Sequence, residues 1–113
     1  MTKLELLRAV RAQIDTPEKW TQNTSARDAF GCPASPYSAL AASWCLFGAA
    51  CAVMNRMRDF SHEIISTDLI NFNDDLTTTH ADVMARLDAL IDDEVIWEVD
   101  VLRGVHDVCD VDA

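Results

Sequence analysis

Residues 35–60, SPYSALAASWCLFGAACAVMNRMRDF, are the most apolar stretch of this 113-residue chain, and Ser43 is the one clearly polar residue between positions 39 and 54. A segment that is apolar on all sides is typical of a buried helix. Ser35 followed by Pro36 is typical of a helix start. The run is shorter than the roughly 20 apolar residues that a membrane span needs. We therefore predict an all-α fold around a buried central helix over about residues 36–58.

Two amphipathic helices are predicted to cover this central helix. The first, over residues 2–14, begins with Thr2 and Glu5 as a capping box and carries an apolar stripe at helical spacing. The second, over about residues 80–92, follows a run of threonines, with Thr79 and Asp82 as its cap pair. Both helices have charged residues on the opposite side, which fits a position on the surface of a core.

The remaining segments are less regular in sequence. Residues 15–34 are predicted to be irregular, with Trp20 and Phe30 packing the loop onto the core. Residues 61–75 are predicted to form a short helix over about 61–66 and then extended chain. For the acidic tail, residues 94–113, a helix up to about Leu102 and then a loose end is favoured, and a strand or hairpin is the alternative.

Length and composition predict a single domain over residues 1–113, because a chain of this size can bury a core of its own. Cys45 and Cys51 lie six positions apart on the predicted helix, so their side chains point to different sides. The N-terminal sequence is amphipathic and does not resemble an export segment. We therefore expect free thiols in a reducing cytoplasm, with no cofactor and no metal site.

The formal net charge is −10, and the segment from residue 87 onward holds nine acidic residues against Arg103 alone. Such a charge repels nucleic acid and membrane surfaces and attracts basic proteins. The sequence therefore predicts a protein partner with a basic surface, and no direct nucleic-acid or membrane contact. The candidate binding residues are Asp88, Asp92, Asp93, Glu94, Glu98 and Asp100.

Two functions follow from this charge. One is a small protein-binding module, carried by a phage or mobile element. The sharper one is an acidic decoy that inhibits a host protein by occupying its nucleic-acid site, with the carboxylates in place of phosphates. The simpler alternative is that the acidic residues serve solubility alone. The oligomeric state is not predicted.

Three patches resemble a known family. They are Trp20 in EKWTQN, the WCLFGA segment at 44–49, and Phe72-Asn73-Asp74 before the last amphipathic helix. Over roughly residues 15–91 they resemble an uncharacterised family of small bacterial and phage proteins, a domain of unknown function with W-C-x-x-G-A and W-N-D motifs. Phe72 stands where the family usually has Trp. The resemblance implies no activity.

The same patches suggest a candidate pocket, formed by Trp20, Trp44, Cys45, Phe72, Asn73 and Asp74. Such a pocket would suit a small enzyme or a ligand-binding domain. The favoured interpretation is packing, with Asn73 and Asp74 as turn residues. A cysteine nucleophile at Cys32 would need a nearby base, and the spacing brings no histidine close to it. We therefore expect a protein without catalytic residues.

Overall fold

The computed structural model describes residues 2–54 and 65–103, with the backbone alone for 98–103. Within these ranges the elements in chain order are α1 (Lys3–Gln13), a 3-10 turn (Pro17–Lys19), β1 (Ala26–Asp28), β2 (Pro33–Ala34), β3 (Ala41–Trp44), α2 (Leu46–Met54), α3 (Thr67–Asp74) and α4 (His80–Arg103). The strands form an antiparallel sheet in the order β2-β1-β3. The prediction of an all-α fold is therefore wrong, since the fold mixes helices with a small sheet.

The predicted central helix begins at Leu46 and not at Pro36. Residues 36–40 form turns, in which the hydroxyl of Ser35 accepts from the backbone N–H of Tyr37 and the hydroxyl of Ser38 accepts from that of Leu40. Hydroxyl side chains offer the backbone such local alternatives to a helix. The next four residues form β3, which pairs with β1. A short apolar run fits a strand as well as a helix, and this ambiguity explains the error.

The segment predicted to be irregular also contains strands. β1 and β2 form a hairpin that turns at Gly31, whose φ of 83° is in the left-handed region that glycine adopts easily. The carboxylate of Asp28 stabilises this turn by accepting from the backbone N–H groups of Phe30 and Cys32. Phe30 lies at the hairpin end and is 92% exposed, so the prediction that it packs onto the core is wrong.

The core lies between α1, α2, α3 and α4. Its buried residues on these helices and their connections are Leu6, Leu7, Val10, Ile14, Leu46, Ala49, Ala50, Ile65, Leu69, Val83 and Leu87. The predicted capping box of α1 is confirmed by the bonds between Thr2 and Glu5. The cap pair of α4 is confirmed by the bonds between Thr79 and Asp82. Trp20, Trp44 and Phe47 pack against this core from the side of the sheet.

The connector and the tail complete the helical part. Extended chain was predicted before residue 75, but residues Thr67–Asp74 form α3, which Ser66 caps by accepting from the N–H of Leu69. This part of the prediction is wrong, and most of the short helix predicted over 61–66 lies outside the described residues. The prediction of a helix up to about Leu102 is confirmed by α4, while the loose end after it lies outside. In the ranges that the structure describes, no helix is long and apolar enough to cross a membrane.

Candidate functional site

Asn73, at the end of α3, joins the sequence patches that suggested a pocket. It is 1% exposed. Its Oδ1 accepts from Nε1 of Trp20 at 2.7 Å and from the backbone N–H of Leu46 at 3.1 Å. Its Nδ2 donates to the carbonyl of Thr21 at 3.2 Å and to Oδ1 of Asp74 at 2.9 Å. A side-chain amide has two donors and two acceptor positions, so all four are used.

Further hydrogen bonds connect the same two chain segments. Nε2 of Gln22 donates to the carbonyls of Asn73 and Asp75, each at 2.8 Å. The backbone N–H of Asn23 donates to Oδ1 of Asp74 at 2.8 Å. Asn23 has a φ of 68°, a left-handed conformation that asparagine tolerates better than most residues. We call Trp20, Thr21, Gln22, Asn73 and Asp74 the Asn73 cluster.

Trp44 and Cys45 lie next to this cluster. The carbonyl of Trp44 accepts from the N–H of Thr21 at 3.0 Å, and its indole N–H donates to the carbonyl of Pro36 at 3.2 Å. Sγ of Cys45 accepts from the N–H of Gly48 at 3.2 Å, at the start of α2. Burial raises the pKa of the Cys45 thiol, and the hydrogen bond from Gly48 opposes this only in part. Cys45 is therefore a protonated thiol that caps a helix.

Gly48 allows α2 to approach the chain just before β1. A Cβ atom at this position would lie 1.8 Å from the carbonyl oxygen of Ser25, which is far inside van der Waals contact. The same carbonyl accepts from the N–H of Cys45 at 3.2 Å. Trp44, Cys45 and the glycine of the WCLFGA segment form one patch in the sequence, and the structure gives each a separate contact.

Phe72 is directed away from the Asn73 cluster, toward α4. The guanidinium carbon of Arg86 lies 4.3 Å from the centroid of the Phe72 ring, a cation–π contact. Five of the six predicted pocket residues thus lie together, but their polar side-chain atoms are already bonded. Those of Trp20, Asn73 and Asp74 bond one another, and those of Trp44 and Cys45 bond Pro36 and Gly48. In the part of the chain that the structure describes, no buried side-chain nitrogen or oxygen lacks a hydrogen-bond partner. The geometry favours packing over a pocket at this place.

The predicted acidic binding residues divide into three groups. Asp88 accepts from Arg11 of α1 at 2.6 Å, and Glu94 lies 3.4 Å from the Lys3 ammonium. The Asp88 hydrogen bond raises the pKa of Arg11. These two carboxylates therefore pair with α1, which runs antiparallel to α4. The side chains of Glu98 and Asp100 lie outside the described residues.

Asp92 and Asp93 form the third group. Both are exposed, and neither has an ion-pair or hydrogen-bond partner among the described residues. Successive residues of a helix differ by about 100° in direction, so the four predicted carboxylates whose side chains are described do not share one face. The prediction of a single acidic surface left out the direction of each residue on the helix, which can be worked out from its sequence position.

Asp92 and Asp93 flank the side of α4 that lies opposite the buried Leu87. We call this side the outward face, and its residues are Asp82, Ala85, Ala89, Asp92, Asp93 and Ile96, all of them exposed. Ile96 is 61% exposed and was not among the residues predicted to bind a partner. The outward face therefore combines two unpaired carboxylates with small and apolar side chains.

The remaining candidate site residues are the possible metal ligands, the exposed cysteine and the histidines. No group of three or more His, Cys, Asp or Glu within the described ranges is placed to hold a metal ion. Cys32 is exposed on the hairpin. Nε2 of His80 contacts the carbonyl of Ile14 at 2.7 Å, which connects the end of α1 to the start of α4. His62 and His106 lie outside the described residues.

Comparison with known proteins matches the chain to a family model. The model of a family described as a family of unknown function, DUF6197, matches residues 1–93. No curated protein and no solved structure matches the chain. The matched range includes the Asn73 cluster and the unpaired carboxylates of the outward face, and it ends just before Ile96.

Proposed function

The chain belongs to the family of unknown function DUF6197, as the resemblance predicted, and we propose that it is a small acidic protein-binding module. The proposed binding surface is the outward face of α4. The proposed partner is a protein with a basic surface. Of the six acidic residues named from the sequence, the proposal keeps only Asp92 and Asp93 as charged contacts.

The observation that carries the proposal is the difference between paired and unpaired carboxylates on α4. Asp88 and Glu94 have partners on α1, at 2.6 Å and 3.4 Å. Asp92 and Asp93 have none in the described part of the chain, and two adjacent like charges repel each other. Both side chains are exposed and make no core contact that would offset this repulsion. The positive charge of a basic partner would relieve it.

The neighbouring side chains support the proposal that a protein, and not only dissolved cations, neutralises the charge of Asp92 and Asp93. Ala85 and Ala89 are small, so the backbone of a partner can approach the helix closely. Ile96 adds apolar area that is lost from water on binding. Charges steer the encounter and apolar contact holds the complex, which is the usual division of work in a protein interface.

The test compares capture of partners by variants with equal charge. Wild type, Asp92→Asn/Asp93→Asn and the control Glu18→Gln/Asp68→Asn are immobilised and exposed to one cell lysate at low and high salt. Glu18 and Asp68 are exposed and lie outside α4, in the 3-10 turn and in the first turn of α3, so the control changes net charge equally without changing α4. We expect a stoichiometric partner held by wild type and control and lost by the Asp92/Asp93 variant. Equal capture by all three chains, or capture by none, would contradict the proposal.

The finer version of the proposal is nucleic-acid mimicry. In that version the chain is encoded by a phage or mobile element and inhibits a host nucleic-acid-binding protein by occupying its site. The net charge of −10 supports it, and the pairing of Asp88 and Glu94 weakens it. A labelled DNA duplex should be displaced from the captured partner by wild type and not by the Asp92/Asp93 variant. If the partner binds the duplex and the wild-type chain at the same time, the chain is a binding module but does not mimic nucleic acid.

A reducing cytoplasmic location is part of the same proposal. Cys45 and Cys51 are both buried, and the thiol of Cys45 accepts the capping hydrogen bond of α2. Oxidation would remove this cap, so the fold suits a compartment in which thiols stay reduced. Proximity labelling with a cytoplasmic enzyme tests the location, and labelling only by an exported enzyme would contradict it.

A further inference from the structure

We infer that the chain has a second binding site, for a small uncharged ring compound that carries hydroxyl or amide groups. The site is a cleft of about 370 Å³ between α2 and the chain segments that flank the β1–β2 hairpin. Its position is separate from the outward face of α4 and from the Asn73 cluster. Ligand sites of small proteins are clefts of about this size or larger.

The walls of the cleft are held in place by contacts that need no ligand. One wall includes Thr24 and Ser25, and the close approach at Gly48 fixes Ser25 against α2. The opposite wall includes Ser35 and Pro36, and the indole N–H of Trp44 holds it by donating to the carbonyl of Pro36 at 3.2 Å. The cleft is therefore formed before binding, which lowers the entropic cost of ordering the site when a ligand binds.

The lining residues decide the chemistry of the ligand. None of the described side chains that line the cleft carries a charge, so a charged ligand would lose hydration without an ion pair. The hydroxyls of Thr24 and Ser25 have no hydrogen-bond partner among the described residues, and both residues are partly buried. They are available to a ligand that bears a hydroxyl or an amide.

The apolar part of the lining fits a ring. Phe47 and Tyr37 contribute flat aromatic rings to the cleft, and Pro36 contributes an aliphatic ring. Flat rings pack well against one another, and hydroxyls at the edge then fix the orientation of the ligand. The cleft of about 370 Å³ is large enough for a substituted ring, since a cavity of about 150 Å³ already holds benzene.

Matched probes test the inference. Benzamide is uncharged, and benzoate has nearly the same shape with a negative charge. Each is titrated into the ¹⁵N-labelled full chain, and the amide shifts of residues 24, 25, 35, 37 and 51 are followed. We expect benzamide to shift these amides in a saturable way and benzoate to bind at least about tenfold more weakly. No saturable shift with benzamide, or shifts elsewhere only, would overturn the inference.

Two variants connect the binding to the hydroxyls. Thr24→Val/Ser25→Ala removes both groups, and we expect it to weaken benzamide binding by at least about tenfold, as for two lost hydrogen bonds. The control is Thr16→Val, because the Thr16 side chain makes no capping bond. A thermal melt establishes that each variant is folded. Unchanged affinity in the folded double variant would overturn the assignment.

Discussion

The indole N–H of Trp20 donates to Oδ1 of Asn73 at 2.7 Å, across 53 positions of sequence. The same oxygen accepts from the backbone N–H of Leu46 at the start of α2. One buried amide thus connects the segment before the sheet to α2 and α3. This explains why the three sequence patches meet although they are far apart in the chain.

The first prediction follows from this amide. Asn73→Ala leaves Nε1 of Trp20 and the N–H of Leu46 without their acceptor, at about 1–3 kcal/mol each. We expect the free energy of unfolding, measured with urea, to fall by about 2–6 kcal/mol. The control is Asn71→Ala on the same helix, where the side chain is exposed and the change should stay within about 0.5 kcal/mol. Equal effects at the two positions would contradict the role of Asn73.

The second prediction concerns the coupling between the two residues. Trp20→Phe keeps an aromatic ring but removes the donor, so we expect a loss of about 1–3 kcal/mol. In a double-mutant cycle with Asn73→Ala, the double variant should lose less stability than the sum of the two single losses, by at least about 0.5 kcal/mol. Strict additivity would show that the hydrogen bond contributes nothing to stability.

The third prediction concerns the close approach at Gly48. In an ordinary helix, Gly→Ala stabilises by roughly 1 kcal/mol. At this position the new Cβ would meet the carbonyl of Ser25 at 1.8 Å, so Gly48→Ala should destabilise by about 1–3 kcal/mol. The matched comparison is Gly31→Ala, where no atom lies within 4 Å but the φ of 83° costs about 1–2 kcal/mol. A rise in melting temperature for Gly48→Ala would contradict the packing described here.

The fourth prediction concerns pH and the Cys45 thiol. Burial raises its pKa above the usual 9.0, so the folded state favours the protonated thiol. Its contribution to stability is therefore complete below pH 9.0 and is lost as the pH rises through the folded-state pKa. We expect the destabilisation caused by Cys45→Ala to shrink as the pH rises above 9.0. A difference between the two chains that stays constant with pH would contradict this.

A fifth prediction concerns the reactivity of the thiols. In the native protein, Cys32 is exposed and should react quickly with a thiol reagent, while Cys45 and Cys51 are buried and should react slowly. In denaturant, all four cysteines of the sequence should react without prior reduction. Fewer than four reactive thiols would contradict the reducing location.

The sequence predicted the helices well where both a cap and a stripe were present. Thr2 with Glu5 and Thr79 with Asp82 determine their helix starts locally, so these features can be read without the rest of the chain. The sheet could not be predicted in the same way. β1 and β3 pair residues far apart in sequence, and hydroxyls at Ser35 and Ser38 stop the helix that the apolar run suggested.

The sequence indicated three of the five residues of the Asn73 cluster, but not the hydrogen bonds that connect them. Trp20, Asn73 and Asp74 were identified, yet no pattern in the sequence indicates that every polar atom of Asn73 is already bonded. The pairing of Asp88 with Arg11 was also hidden, since it depends on how α1 crosses α4. Sequence spacing gives the direction of a side chain on its own helix and does not give its partner.

The central functional claim is that Asp92 and Asp93 guide a basic partner to the outward face of α4. The most direct measurement is the association rate constant with the captured partner, at ionic strengths from about 0.01 M to 0.1 M, where the screening length falls from roughly 30 Å to 10 Å. We predict that wild type and Glu18→Gln/Asp68→Asn associate several-fold faster than Asp92→Asn/Asp93→Asn at low salt, and that the three rates converge as salt rises. Equal rates for the three chains at low salt would contradict the claim.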